Sequence, residues 1–298
     1  MAKPERRLPT NAPGPLFVDD TCIDCGTCWG LAPATFEEQP EGTAAVVRQP
    51  ASAAERARAF MALVSCPTSS IGTEEREAAG EIRTASRAFP EELEGAHGAH
   101  TCGYAAASSY GAASWFVTRP GARPFLVDSP RAAAPLLDRL EALGGVELLL
   151  LTHRDDVADH RLLRERLGCA RVLHEADVGP DTADVERRLT GRDPIELAPR
   201  LLAVPVPGHT RGSTAFLWDE AVLFSGDHLW GSGEGHGLEA GRDVCWWSWE
   251  EQTRSMERLL DLRFEWVLPG HGPRVRAPSA AAMRRELEAL VRRMRRAP

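Results

Sequence analysis

Apolar residues in this chain of 298 residues fall into short runs that are separated by turns rich in glycine and proline. Near the N-terminus, Leu16 opens one run of three apolar residues, and residues 44–47 form a second. Ser52 is a suitable N-cap for a helical pattern that continues to about Val64. These patterns predict a small unit of short strands and one helix.

From residue 98 onward, apolar runs of strand length alternate with helical patterns. We predict strands at residues 113–117, 125–128, 146–151, 171–174, 201–206, 221–224 and 266–268, and helices at residues 130–143, 161–167, 249–262 and from 280. Between them, residues 76–97 lack a sustained apolar face and predict a linker. The expected organisation is a first domain over residues 1–75, this linker, and a second domain over residues 98–298.

The first unit contains four cysteines in a metal-ligand pattern. Cys22, Cys25 and Cys28 follow C-x2-C-x2-C spacing, and Cys66 comes directly before Pro67. Four thiolates can hold one iron–sulfur cluster, and a zinc site is the competing interpretation. The third cysteine at x2 spacing and the Cys-Pro pair favour the cluster.

This segment resembles a single-cluster bacterial-type ferredoxin. The resemblance implies one [4Fe–4S] cluster held by the four cysteines and an electron-carrying or regulatory role. It is also compatible with a redox partner protein that exchanges electrons with the cluster.

A second set of metal-ligand types lies just after the ends of predicted strands. The candidates are His153, Asp155, Asp159, His160, His209, Asp227 and His271. Histidine and carboxylate side chains together suit zinc, iron or manganese. The sequence therefore predicts a site for one or two divalent metal ions.

The order of these motifs resembles the metallo-β-lactamase superfamily. Its pattern continues with a histidine in G-H-T, an aspartate in G-D and a histidine in P-G-H-G, which stand here as His209, Asp227 and His271. The resemblance implies an α+β chain with an αββα sandwich after the ferredoxin-like module. It also implies metal-dependent hydrolysis of an ester, thioester or amide carbonyl in a small-molecule substrate, with Asp159 and Asp227 as catalytic carboxylates.

The first motif departs from the family pattern H-x-H-x-D-H. The segment from His153 to His160 is two residues longer and lacks the second histidine. His153 then matches the first ligand, Asp159 and His160 match the last pair, and either Asp155 or Asp156 takes the second position. Alternatively, the two middle aspartates turn the loop or orient His153 without binding metal.

An additional carboxylate makes the site harder, which shifts its preference toward iron or manganese. Flavodiiron proteins, a redox branch of the same superfamily, have a glutamate at the second-ligand position. The alternative function is therefore a ferredoxin-coupled redox enzyme with an iron site. A noncatalytic electron carrier is a third class, which the retained ligand types disfavour.

Composition and charge exclude other classes of function. The net charge is −8 and the sequence pI about 5.7, so we expect neither a nucleic acid nor a membrane surface as a partner. No apolar run reaches the length of a bilayer span, and residues 1–15 lack the apolar core of a signal peptide. The expected location is the cytoplasm. Residues 231–237 and the tryptophans that follow them predict either a lid with an aromatic wall or an ordinary surface loop.

Overall fold

The computed structural model describes residues 2–233 and 237–296, so part of the predicted lid lies outside the described residues. The helices are α1 (Thr27–Leu31), α2 (Ala53–Ser65), α3 (Ala79–Ser86), α4 (Ala134–Ala142), α5 (His160–Leu167), α6 (Trp249–Arg258) and α7 (Ala280–Arg296). The strands are β1 (Leu16–Val18), β2 (Phe36–Gln39), β3 (Thr43–Val46), β4 (Ile71–Thr73), β5 (Glu91–Glu92), β6 (Ala99–Thr101), β7 (Trp115–Arg119), β8 (Ala122–Val127), β9 (Leu148–Leu150), β10 (Ala170–His174), β11 (Arg187–Leu189), β12 (Ile195–Ala198), β13 (Leu201–Pro205), β14 (Thr214–Trp218), β15 (Val222–Gly226), β16 (Trp230–Gly231), β17 (Leu238–Glu239), β18 (Trp266–Pro269) and β19 (Val275–Arg276).

The N-terminal module is built from two antiparallel strand pairs and two helices. β1 pairs with β4, and β2 pairs with β3. At the start of α2, Ser52 accepts a hydrogen bond from the backbone N–H of Glu55, whose side chain accepts one from Ser52 in return. This reciprocal capping box fixes where the helix begins.

Two sheets face each other in the rest of the chain. The first has the order β11-β10-β9-β8-β7-β6-β5, and the second β12-β13-β14-β15-β18-β19. Side chains alternate across each strand, so Trp115 and Phe125 point into the core between the sheets, where they meet Phe216 and Phe224. Their buried apolar surface holds the two sheets together.

Helices cover the outer faces of both sheets. α4 and α5 pack on the first sheet, and α6 and α7 pack on the second. The predicted α+β class, with an αββα sandwich after a ferredoxin-like module, is confirmed. Among the described residues, no helix has both the length and the apolar composition that a membrane span requires.

The segment predicted as a linker contains regular structure. β5 pairs with β6 and forms an edge of the first sheet, while α3 lies against α2. Arg56 pairs with Glu75 and Glu81 at 2.7 and 2.8 Å and holds this helix in place. Because small alanines and ion pairs fix α3, its sequence shows no strong apolar periodicity.

The N-terminal module packs directly on the outer face of the first sheet. Phe60 and Met61 of α2 lie in the same buried cluster as Phe116 and Leu126 of the sheet. Arg131 also donates a hydrogen bond of 2.8 Å to the carbonyl of Val64 at the end of α2. The two parts of the chain therefore share one hydrophobic core.

Candidate metal centres

The four cysteines of the N-terminal module surround one cavity. Ala44 donates a backbone hydrogen bond to the Cys22 sulfur, and Ser70 donates one to the Cys66 sulfur, both at 3.3 Å. The Thr27 hydroxyl lies 3.3 Å from the Cys25 sulfur. Sulfur ligands with backbone N–H donors directed at them are the usual environment of an iron–sulfur cluster.

Electrostatics also indicate a site for a positively charged group. Burial raises the pKa of the Cys28 thiol well above its usual range, and the nearby Cys25, Cys22 and Cys66 raise it further. Four thiolates cannot share this cavity without cations to neutralise them. The arrangement therefore fits a cluster of iron ions, which would hold the cysteines deprotonated.

The second site forms where loops from both sheets meet at one edge of the sandwich. The loop after β9 carries His153, the loop after β13 carries His209, and Asp227 follows β15. The rings of His153 and His209 are perpendicular, with their centroids 4.7 Å apart. His271 follows β18 and interacts with Asp227, its Nδ1 lying 2.9 Å from Oδ2.

Several buried polar atoms in this site have no hydrogen-bond partner within the described residues. They include the Nε2 atoms of His153, His209 and His271 and Oδ2 of Asp156. Because an unpaired buried polar atom costs about 1–3 kcal/mol, such a convergence requires an explanation. Ligation of metal ions would account for the atoms of His153, His209 and Asp156, which belong to groups of converging ligand atoms.

Two groups of ligand atoms meet the spacing that one ion requires. In each group, atoms within 4.8 Å of one another come from His153, Asp155 and His209, or from His153, Asp156 and Asp227. Asp155 Oδ2 lies 3.9 Å from His153 Nε2 and 3.7 Å from His209 Nε2. Asp227 Oδ2 lies 3.7 and 3.8 Å from the same two nitrogens. The site residues therefore fit one or two divalent ions.

The carboxylates of the site repel one another and are stabilised unequally. Burial raises the pKa of Asp156 well above its usual range, and the charge of Asp227 adds to this effect. Burial also acts to raise the pKa of Asp227, but the hydrogen bond with His271 and the charge of His153 outweigh it and hold that pKa well below its usual range. A cation in the site would favour the ionised form of both groups.

Gly270 allows the two carboxylates to approach the final histidine loop. A Cβ atom at this position would lie 2.6 Å from Asp156 Oδ2 and 2.8 Å from Asp227 Oδ1. Any larger residue would displace these side chains. The P-G-H-G motif thus requires its first glycine for close packing.

The structure does not bring His271, Asp159 or His160 into either ligand group. Asp159 instead accepts a backbone hydrogen bond of 2.8 Å from Ala132. His160 is buried with its Nδ1 3.2 Å from Arg171 Nη1. The two extra residues in the loop carry this pair into the start of α5, and Asp156 lies in the site in their place.

Two further aspartates hold the ligand loops, and the sequence analysis did not single them out. Asp128 accepts hydrogen bonds from the Thr152 backbone and hydroxyl at 2.8 and 2.9 Å, and that hydroxyl lies 3.0 Å from His153 Nδ1. Asp177 accepts hydrogen bonds from Arg154, Thr210 and Gly212, and so joins the first two ligand loops. The position of Asp128 at the end of a predicted strand was the available signal.

The mouth of the site has an aromatic residue on each side. The Trp246 ring lies 6.0 Å from His209, and the Tyr110 ring lies 6.3 Å from His271, measured between centroids. Trp246 is 61% exposed and Tyr110 57% exposed. The aromatic wall predicted from the tryptophans therefore has one member at the site, and Tyr110 adds another that the sequence did not reveal.

Comparison with known proteins agrees with both parts of this architecture. Residues 18–73 match the family described as the 4Fe-4S single cluster domain of Ferredoxin I. A hydroxyacylglutathione hydrolase of Synechococcus sp. (strain JA-2-3B'a(2-13)) is 30% identical over 179 residues, which are 55% of this chain and 71% of that protein. The chain belongs to the metallo-β-lactamase superfamily.

Other relatives are matched over smaller shares of their length. A hydroxyacylglutathione hydrolase of Methylococcus capsulatus is 33% identical over 161 residues, and this metallo-β-lactamase-superfamily chain spans 58% of its length. Among solved structures, ETHE1 from Myxococcus xanthus is 19% identical with a TM-score of 0.48, and the match covers 66% of this chain and 89% of ETHE1. This superfamily member thus carries a 4Fe-4S-type domain before its sandwich.

Proposed function

We propose that this protein is a metal-dependent hydrolase that cleaves a thioester or related carbonyl compound, with a [4Fe–4S] cluster in its N-terminal module. The observation that carries the proposal is the convergence of ligand atoms in two groups, and the atoms of His153, His209 and Asp156 in these groups have no hydrogen-bond partner among the described residues. Ions bound by these residues would activate water and polarise the substrate carbonyl.

The protein residues divide naturally into two ligand sets. His153, Asp155 and His209 would hold one ion, and Asp156 and Asp227 a second, with His271 beside Asp227. Asp227 lies within 4 Å of His153 and His209 and also contacts His271, which supports a role for its carboxylate at both ions. Thr152 and Asp128 would fix the orientation of the His153 ring through the contact at its Nδ1 atom.

The relatives and the mouth of the site support a thioester as the substrate class. Hydroxyacylglutathione, which gives the similar proteins their name, is a thioester. Asp155 and His271 are the partly exposed members of the set, so a carbonyl group can reach the ions from their side. Trp246 and Tyr110 would contact apolar parts of the substrate there.

Substitution of Asp227 tests this proposal. The variant Asp227→Ala should lose hydrolysis of a panel of acyl thioesters and most of its divalent metal, while the cluster absorbance stays unchanged. The matched control is Asp138→Ala, which removes a 69% exposed carboxylate that pairs with Arg166. Hydrolysis by Asp227→Ala at the wild-type rate would contradict the role of this residue.

The donor set favours a second candidate function, a ferredoxin-coupled redox enzyme. Three carboxylates, from Asp155, Asp156 and Asp227, accompany three imidazoles, and this harder set suits iron or manganese better than an all-histidine site. Iron, zinc, manganese and sulfide per chain should be counted after anaerobic purification. Zinc beside four cluster irons supports the hydrolase, whereas iron beyond the cluster's share without zinc supports the redox enzyme.

A further inference from the structure

The two candidate metal centres are joined by one short stretch of chain, residues 109–111, which we call the bridging segment. Its Gly111 end contacts a cysteine of the N-terminal module. Its Tyr110 side contacts the last histidine of the metallo-β-lactamase site. This segment touches both centres, although the sequence places them far apart.

At the cysteine site, Gly111 lies directly against Cys25. A Cβ atom at this position would lie 2.5 Å from Cys25 Cβ and 2.7 Å from its sulfur, and Gly111 has φ +84°. Thr27 donates a hydrogen bond of 3.3 Å to the Gly111 carbonyl and also lies 3.3 Å from the Cys25 sulfur. Both the close approach and the backbone conformation require glycine here.

At the other site, the segment packs on the loop that carries His271. The Tyr110 ring lies beside the His271 ring, with their centroids 6.3 Å apart. Two residues beyond the segment, Ala113 donates a backbone hydrogen bond of 2.7 Å to Gly270. His271 is therefore held in part by the chain that contacts Cys25.

The bridging segment has little freedom to absorb a displacement at one end. Tyr110 adopts the left-handed conformation with φ +47°, which is unusual for an aromatic residue. Gly111 donates a backbone hydrogen bond of 2.9 Å to Ala106, and Ala112 donates one of 2.9 Å to Ser109. Strained residues persist only where the surrounding structure fixes them.

We propose that the bridging segment couples the two centres, so that metal occupancy at the histidine–carboxylate site changes the reduction potential of the cluster. By linkage, reduction of the cluster changes the metal affinity by the same factor. This coupling goes beyond hydrolysis and gives the fused N-terminal module a regulatory role. It requires no electron to leave the cluster during turnover.

The test is a redox titration of the protein with its cluster in place. Dithionite supplies one electron, which takes the cluster from the 2+ to the 1+ state, and the midpoint potential is measured with the second site empty and then filled with zinc or manganese. A tenfold coupling in metal affinity would shift this one-electron potential by about 59 mV.

Two threonines provide a matched pair of variants. Each follows a cluster cysteine by two residues and places its hydroxyl near that sulfur, at 3.3 Å for Thr27 and 3.7 Å for Thr68. Only the Thr27 hydroxyl also bonds to the bridging segment. Thr27→Val should therefore abolish most of the metal-dependent shift in the midpoint potential of the cluster. Thr68→Val should retain this shift, even though the substitution itself changes the potential.

The outcomes distinguish this inference from the proposed function. A shift of equal size in Thr27→Val would indicate that the charge of the metal acts through space and would overturn the role of the segment. If Thr27→Val does not retain its cluster, wild-type metal affinity is compared between oxidised and reduced protein, and equal affinities refute the coupling. Failure of zinc, manganese and ferrous iron alike to bind would refute both proposals, whereas binding without a shift would refute only the coupling.

Discussion

At the scale of single residues, the site depends on a side chain that touches no predicted ligand directly. Asp128 is fully buried, and burial raises its pKa to about 8 although hydrogen bonds from Thr152 oppose this effect. Its role is to hold the Thr152 hydroxyl that contacts His153. Partners of this kind orient a ligand and set its affinity for metal.

Replacement of Asp128 by alanine should lower the affinity for divalent metal about 10–100-fold, because the Thr152 hydroxyl would lose its acceptor and His153 would no longer be held. Competition with a chelator measures this affinity directly. Asp128→Asn keeps an acceptor oxygen and should recover part of the loss. If both variants bind metal as tightly as the wild type, Asp128 has no part in orienting His153.

The sequence predicted some of these site residues better than others. His209, Asp227 and His271 lie in glycine-bounded turns directly after strands, so their convergence follows from the strand order. The ligands of the first loop were harder to predict, because two added residues change which aspartate points into the site. Packing against Gly270 and Asp227 places Asp156 in the site, and no sequence pattern encodes that contact.

At the scale of elements, α5, β10 and β11 are joined by one ion-pair network. Glu186, just before β11, accepts hydrogen bonds from the Arg171 backbone at 2.7 Å and from its side chain at 2.9 Å, and from Arg164 of α5 at 3.0 Å. Arg171 also contacts His160. This network explains why His160 serves the packing of α5 and lies outside the ligand groups.

The network predicts how stability depends on pH. Burial acts to raise the pKa of Glu186, but the hydrogen bonds from Arg171 and Arg164 outweigh it and lower that pKa from 4.5 to about 2. Because the folded-state pKa is the lower one, Glu186 of the unfolded chain binds a proton between pH 4.5 and about 2, where Glu186 of the folded chain does not. The contribution of Glu186 is therefore complete above pH 4.5 and is lost as the pH falls toward about 2.

Glu186→Gln should lower the free energy of unfolding by about 1 kcal/mol at neutral pH, since one charged acceptor is lost. Denaturant titrations at neutral and acidic pH measure this difference, which should shrink as the pH falls through the window. Glu165→Gln, at an exposed position on α5, is the control and should show no such trend. A difference that stays constant with pH would contradict the assignment.

At the scale of the whole molecule, the two modules share a core, which the composition of residues 76–97 did not suggest. β5 belongs to the first sheet, and Tyr104 donates a hydrogen bond of 2.7 Å to Ser86 at the end of α3. Short elements fixed by long-range contacts have weak local signals, so the sequence alone favours a linker there. The buried cluster that contains Phe60 and Phe116 indicates one cooperative unit instead.

The protein should therefore unfold in a single transition. Seven of its eight tryptophans lie in residues 98–298 and only Trp29 lies in the N-terminal module, so fluorescence reports mainly on the sandwich and cluster absorbance on the module. Coincident denaturation curves from both probes are the expected result, because a shared core couples the two parts. Curves with separate midpoints would show that each module folds on its own.

A pair of arginine variants locates this cooperativity at the contact between the modules. Arg131 donates to the Val64 carbonyl across the contact, and Arg123 donates to the Val146 carbonyl within the sandwich, both at 2.8 Å. Each alanine variant removes one side-chain hydrogen bond to a backbone carbonyl. Arg131→Ala should separate the two denaturation curves, whereas Arg123→Ala should move both curves together, because of these two arginines Arg131 is the one that bonds to the N-terminal module.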